Sequence, residues 1–222
     1  MDDLAERLAG VRAGIEDAAA RAGRAVEEIT TVVVTKFHPA QLVRDLHALG
    51  VRDFGESRHQ EAQAKIASLD DIAATWHFVG QVQGKKARQV RSYADVIHSV
   101  DRESLIDSLS GEPTRQVFLQ VNLTDDPDRG GAAPADVSRL AELAAATEGL
   151  ELLGLMAVAP LGEEPRRAFA RVRELSEWVR ETVPGASALS MGMSGDYADA
   201  IVEGATHLRI GTAITGNRPT PG

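Results

Sequence analysis

Two hydrophobic periods alternate along this chain. Residues 3–22 carry Leu4, Leu8, Val11, Ile15 and Ala19 at helical spacing, and Ala22-Gly23 closes the segment. A β-branched run, 29–35, follows, then a helix opening near Pro39 with Leu42, Val43, Leu46 and Leu49 on one face. Residues 51–56 predict a short strand, 57–69 a polar helix, 76–80 a third strand and 84–92 a short basic helix. A fourth strand, 95–100, precedes a helix over 102–109, and a fifth, 116–122, leads through the loop 123–131 to a helix over 134–147. The sixth strand, 150–159, precedes a helix over 165–182 whose apolar face reads as Phe169, Val172, Leu175 and Trp178. The seventh, 186–193, the helix 195–204 and an eighth strand, 206–212, complete the series.

Eight strands alternating with helices behind one extra N-terminal helix predict an α/β fold, a single (β/α)8 TIM-type barrel. An open doubly wound sheet is the competing architecture. No linker or composition shift divides the chain, so 1–222 reads as one domain, with the N-terminal helix within 1–25 and a loose tail over 217–222.

Charge and composition narrow the function classes. A formal net charge of −9 argues against non-specific nucleic-acid binding, because polyanions are repelled, although "GKKARQVR" (84–91) is a local basic run that reads as a solvated helix face. The absence of cysteine excludes disulfides, thiolate metal sites and cysteine nucleophiles. "MDDLAERLAG" has no apolar signal-peptide core, and no apolar stretch is long enough to span a bilayer. A soluble cytoplasmic protein is the expectation.

In a barrel, chemistry sits where strands end. "VVVTKFHP" (32–39) ends a buried strand on Lys36. Either that side chain snorkels into water, or it is a desolvated amine able to form a Schiff base with an aldehyde. "SMGMSGD" (190–196) and "RIGT" (209–212) are successive strand ends with glycines and hydroxyls, at the strand 7–8 position where barrels bind phosphate. His77 lies in an apolar strand, where a packed histidine is the default. "DDPDRGG" (125–131) lacks an EF-hand's ligand pattern and reads as a turn-rich loop, while Met156 and Met193 read as packing.

Six stretches in order, "VVVTKFHP", "FGES" (54–57), "WHFVGQVQGKK" (76–86), "GLMAVAP" (154–160), "SMGMSGD" and "LRIGTAITG" (208–216), together resemble the pyridoxal phosphate homeostasis protein family. That resemblance implies a barrel like the N-terminal domain of alanine racemase, binding pyridoxal 5'-phosphate (PLP) without the racemase's second domain. It implies a role in vitamin B6 homeostasis, buffering PLP or delivering it to PLP-dependent apoenzymes, as a monomer without catalytic residues. Carried onto this chain, Lys36 is the Schiff-base lysine and Arg209 faces the pyridine nitrogen. Ser190, Ser194, Gly211 and Thr212 surround the phosphate, and His77 lies near the ring. The family often has Asn where this chain has Ser57, and a lysine in the loop where this chain has Arg129, which cannot form a Schiff base. A PLP-dependent racemase-like enzyme is the alternative. It needs an acid/base on each face of the substrate, and Tyr93 and Tyr197 are the only tyrosines. A Lys36-dependent aldolase is the third possibility.

Overall fold

The computed structural model describes residues 2–126 and 129–217. Its sheet is a closed barrel of eight parallel strands in sequence order: β1 Thr30–Val34, β2 Asp53–Glu56, β3 Thr75–Phe78, β4 Val96–Val100, β5 Arg115–Gln120, β6 Leu150–Met156, β7 Ala188–Ser190 and β8 His207–Ile210. Closure comes from β8 returning to β1, with Thr30 beside His207 and Val33 beside Ile210. The open doubly wound alternative is thereby excluded, since an open sheet has two unpaired edges.

The helices are α1 Asp2–Arg21, α2 Ala40–Ala48, α3 His59–Ala67, α4 Ala87–Arg91, α5 Glu103–Leu109, α6 Val137–Ala146, α7 Pro165–Thr182, α8 Tyr197–Val202 and α9 Thr212–Thr215. Helix α1 is the extra element; it buries Leu4, Leu8, Val11 and Ile15 and packs against α8 and α9. The basic segment begins as a 3-10 turn at Gly84–Lys86 before α4. Its last cation is not solvated: Arg91 is buried and donates to the carbonyls of Leu109, Gly111 and Pro113. Residues 218–222 of the expected loose tail lie outside the described residues, as do 127–128 of the loop.

Two boundaries differ from expectation for local reasons. Strand β7 is three residues long, because Gly192 takes a positive φ (93°) that no strand continues. The strand expected through Thr212 stops at Ile210, and Thr212 opens α9 instead. On α7 the buried face is Ala168, Phe169, Val172, Leu175, Ser176 and Val179, whereas Trp178 is 60% exposed. A 3.6-residue period carries 178 past the edge of that stripe.

Period-2 alternation decides which strand residues reach the barrel axis. Val33, Phe54, Trp76, Ile97, Leu119, Leu155 and Leu208 belong to the large apolar core. The opposite face carries a small cluster, Val96, Phe118 and Met156, together with three histidines in ring contact: His98 stacks on Phe118, His207 meets Phe118 edge-on and His77 lies tilted against His98. The upper end of this interior is polar.

Candidate functional site

Lys36 sits two residues beyond Val34, on the same side of β1, and both line a cavity of about 470 Å³ at the C-terminal mouth of the barrel. The strand is a scaffold that aims the lysine: Val33 faces the outer core, while 34 and 36 face the mouth. The Lys36 side chain is exposed, and its Nζ lies 6.0 Å from the centroid of the Phe37 ring. Among the described residues it has no carboxylate or hydrogen-bond partner.

Ser194, Gly195, Arg209, Gly211 and Thr212 line the same cavity, with Ser57, Gln81, Gln120, Met156 and Met193 among the other walls. The turn 193–196 is held by Asp196, which accepts from the Met193 N–H at 2.5 Å. Ser194 Oγ accepts from Ala213 N–H at 3.4 Å, tying this turn to α9. The backbone N–H groups of Ser194, Gly195, Gly211 and Thr212 have no acceptor among the described residues. Unmatched amides beside one cavity call for an anion or water to satisfy them.

Arg209 closes the floor. Its Nη1 donates to the Ser190 carbonyl and to Ser190 Oγ, both at 2.7 Å, and its Nη2 to the Ala157 carbonyl at 2.9 Å. Burial pushes this guanidinium down to about 10, against the pull of Asp196, so it stays charged at neutral pH. Three acceptors pin this arginine at the cavity wall.

Behind Arg209 runs a hydrogen-bonded chain, buried from Ser190 to His77 and ending at half-buried Asp53. His98 Nδ1 lies 2.8 Å from Ser190 Oγ, His98 Nε2 lies 2.9 Å from His77 Nδ1, and His77 Nε2 lies 3.1 Å from Asp53 Oδ1. The two ends set the direction, since arginine only donates and an ionised carboxylate only accepts. Ser190 therefore accepts from Arg209 and donates to His98 Nδ1; His98 Nε2–H donates to His77, and His77 Nε2–H to Asp53. Burial, then the neighbouring His77, Arg209 and His207, hold His98 well below the ordinary imidazole range, consistent with its neutral place in the chain.

Of the seven residues singled out by sequence, Lys36, Ser194, Arg209, Gly211 and Thr212 meet at the cavity. Two do not. Ser190, expected at the phosphate, is fully buried beneath Arg209, because the inward position of a strand lies below the loop that follows it. His77, expected near a ring, is only 3% exposed and bonded to His98 and Asp53 within the barrel. Conversely, Met156 and Met193, expected only to pack, both line the cavity, as do Gln81 and Gln120. The glutamines had a legible signal, each a polar residue at or just after the end of an apolar strand. A neighbouring cavity of about 500 Å³, lined by Arg58, His59, Gln83 and Lys86, shares Gln81 with this one but has neither Lys36 nor Arg209 on its walls. The chemistry therefore selects the smaller cavity.

Among the described residues no group of histidines and carboxylates could hold a metal ion, and no helix is long and apolar enough to cross a membrane.

Residues 8–219 match the model of the alanine racemase N-terminal domain. The pyridoxal phosphate homeostasis protein of Pseudomonas aeruginosa is 43% identical over 226 residues, covering 98% of this chain and 97% of that one. Its Escherichia coli counterpart is 36% identical over 229 residues, covering 98% of each. PipY of Synechococcus elongatus, solved with PLP bound, superposes with a TM-score of 0.84 at 36% identity, over 96% of this chain and all of that one. Alanine racemase of Corynebacterium glutamicum shares the fold alone, with a TM-score of 0.73 at 14% identity, over 96% of this chain and 60% of the enzyme.

Proposed function

This chain belongs to the pyridoxal phosphate homeostasis protein family, and we propose that it binds PLP covalently and reversibly through Lys36, serving intracellular vitamin B6 homeostasis. One observation carries the assignment of the site: an unpaired lysine amine shares a cavity of about 470 Å³ with four unmatched backbone amides and a buried arginine. The donor set fits the cofactor. Bound PLP supplies an aldehyde for the amine and a phosphate for the amides.

Lys36 would hold the cofactor through its amine, and bound PLP would supply the aldehyde for that amine to condense with, releasing water. The amides of Ser194, Gly195, Gly211 and Thr212, with the hydroxyls of Ser194 and Thr212, would hold the phosphate. Arg209, charged and fixed by Ser190 and Ala157, would disfavour protonation of the cofactor's pyridine nitrogen. An unprotonated ring is a weaker electron sink, which suits holding and releasing the cofactor rather than carbanion chemistry.

Buffering or delivery to PLP-dependent apoenzymes in the cytoplasm, by a monomer, completes the reading. Two things favour it over a racemase: the relatives named above are homeostasis proteins, and neither Tyr93 nor Tyr197 is among the cavity's walls. The purified protein should carry a visible absorbance band. Borohydride reduction followed by peptide mapping should put the pyridoxyl group on Lys36, one of four lysines in the chain. Label found mainly on Lys85 or Lys86 overturns the site. Turnover of L-alanine to D-alanine at about 1 per second or faster overturns the non-enzymatic reading.

A further inference from the structure

Lys65 reads in the sequence as one cation of a polar helix, yet its side chain is only 6% exposed. It projects from α3 beneath the segment that carries Lys36. All three donors of its ammonium are used: the Thr35 carbonyl at 2.9 Å, Glu56 Oε1 at 2.7 Å and Glu61 Oε1 at 3.2 Å. The same carboxylates hold the chain on either side of Lys36. Thr35 Oγ1 donates to Glu56 Oε1 at 2.7 Å, and the Phe37 N–H donates to Glu61 Oε1 at 2.5 Å.

Phe37 is the one non-glycine among the described residues with a positive φ, at 70°. An aromatic side chain avoids that left-handed region unless its surroundings impose it. Here they do, and the result is a sharp turn directly after Lys36. His38 N–H reaches back to the Thr35 carbonyl at 3.1 Å, closing the turn over the lysine. Residue 36, two positions past the end of β1, therefore stays on the face shared with Val34, its side chain at the cavity.

Core stability alone is a poor reason for this arrangement. A buried ion pair of this kind is often matched or bettered by apolar side chains of similar size. The desolvation is visible in Glu56: burial pushes its carboxyl up despite Lys65, and its Oε2 has no partner among the described residues. What an ammonium does here that a methionine cannot is bind the backbone of residue 35 and, through Glu61, that of residue 37.

We infer that Lys65 is a positioning residue for Lys36: with Glu61 and Glu56 it clamps residues 35 and 37 so that the Lys36 amine is presented to the aldehyde. This rests on Lys36 being the capturing amine. The probe is PLP itself, followed by borohydride trapping on Lys36 across pH, with Lys65→Met, Glu61→Ala and Glu61→Gln. Lys65→Met and Glu61→Ala should slow trapping about tenfold or more at every pH, as misplaced reacting groups do. Glu61→Gln keeps an oxygen for the Phe37 N–H and should recover to within about threefold of wild type. In the PLP-free protein, hydrogen exchange at the Phe37 amide should quicken in Glu61→Ala and stay near wild type in Glu61→Gln.

A purely structural role predicts instead that Glu61→Ala and Glu61→Gln lose the same amount, in step with melting temperature; that result overturns the inference. Wild-type label on a lysine other than Lys36 defeats the underlying assignment. Label on Lys36 with wild-type trapping rates in Glu61→Ala defeats the inference alone. If Lys65→Met fails to fold, the Glu61 pair, at a half-buried position, still decides.

Discussion

Replacing Ser190 with alanine removes one oxygen from the barrel interior. That oxygen accepts from Arg209 Nη1 at 2.7 Å and donates to His98 Nδ1 at 2.8 Å, in a residue with no solvent exposure. Arg209 is not stranded by the change, because Nη1 keeps the Ser190 carbonyl at 2.7 Å and Nη2 keeps Ala157. His98 is. Its Nδ1 loses its donor inside a fully buried ring whose Nε2 stays committed to His77. An unmatched buried acceptor costs about 1–3 kcal/mol, and the partly compensated arginine bond adds little, so we expect about 2 kcal/mol. In a domain of this length that lowers the melting temperature by about 4–8 °C. Urea unfolding followed by circular dichroism should show an earlier midpoint with an unchanged slope. The ratio of PLP to pyridoxal affinity should not move, since the two ligands differ only in the phosphate and Ser190 does not line the cavity. Unaltered stability combined with a tenfold or larger fall in that ratio would refute the reasoning and return Ser190 to the phosphate.

Three further outcomes follow from the geometry. Pyridoxal should bind far more weakly than PLP, because it leaves the amides of 194, 195, 211 and 212 without an anion; equal dissociation constants would remove the phosphate site. Gly154→Ala should cost about 3 kcal/mol or more, measurable by urea unfolding: φ is 153°, and a Cβ would overlap the Ala188 carbonyl of the adjoining strand. The third outcome concerns pH: burial, then His77, hold His207 down at about 4, against 6.5 in the unfolded chain, so the unfolded state takes up the proton first. That contribution to stability is fully present above pH 6.5 and is lost as pH falls toward about 4. His207→Gln should flatten part of this acid limb, and superimposable pH–stability curves for the two proteins would contradict it.

Much of this site was legible along the chain. A run of β-branched residues ending on Lys36, and two glycine- and hydroxyl-bearing strand ends in succession, carry their chemistry in local sequence. The alternation of periods was enough to order eight strands and to place Lys36, Ser194, Arg209, Gly211 and Thr212 near one end of them. Family resemblance then pointed to an aldehyde-bearing phosphate ester as the ligand.

Closure of the sheet decided the rest. A side chain at a strand end faces the mouth, the axis or the outer helices according to register, and a shift of one residue exchanges those fates. Ser190 and Ser194 look alike in sequence; only the barrel puts one beneath Arg209 and the other beside the cavity. His77 and His98 are 21 residues apart and Ser190 and His98 are 92 apart, so no local pattern announces the chain they form. Lys65 lies in a helix that reads as polar, and Trp178 in a stripe that reads as apolar, yet the first is buried and the second exposed. Sequence determines the local period and the chemistry each position can offer. Which of those groups lose their water, and which meet, is set by contacts between strands and helices far apart in the chain.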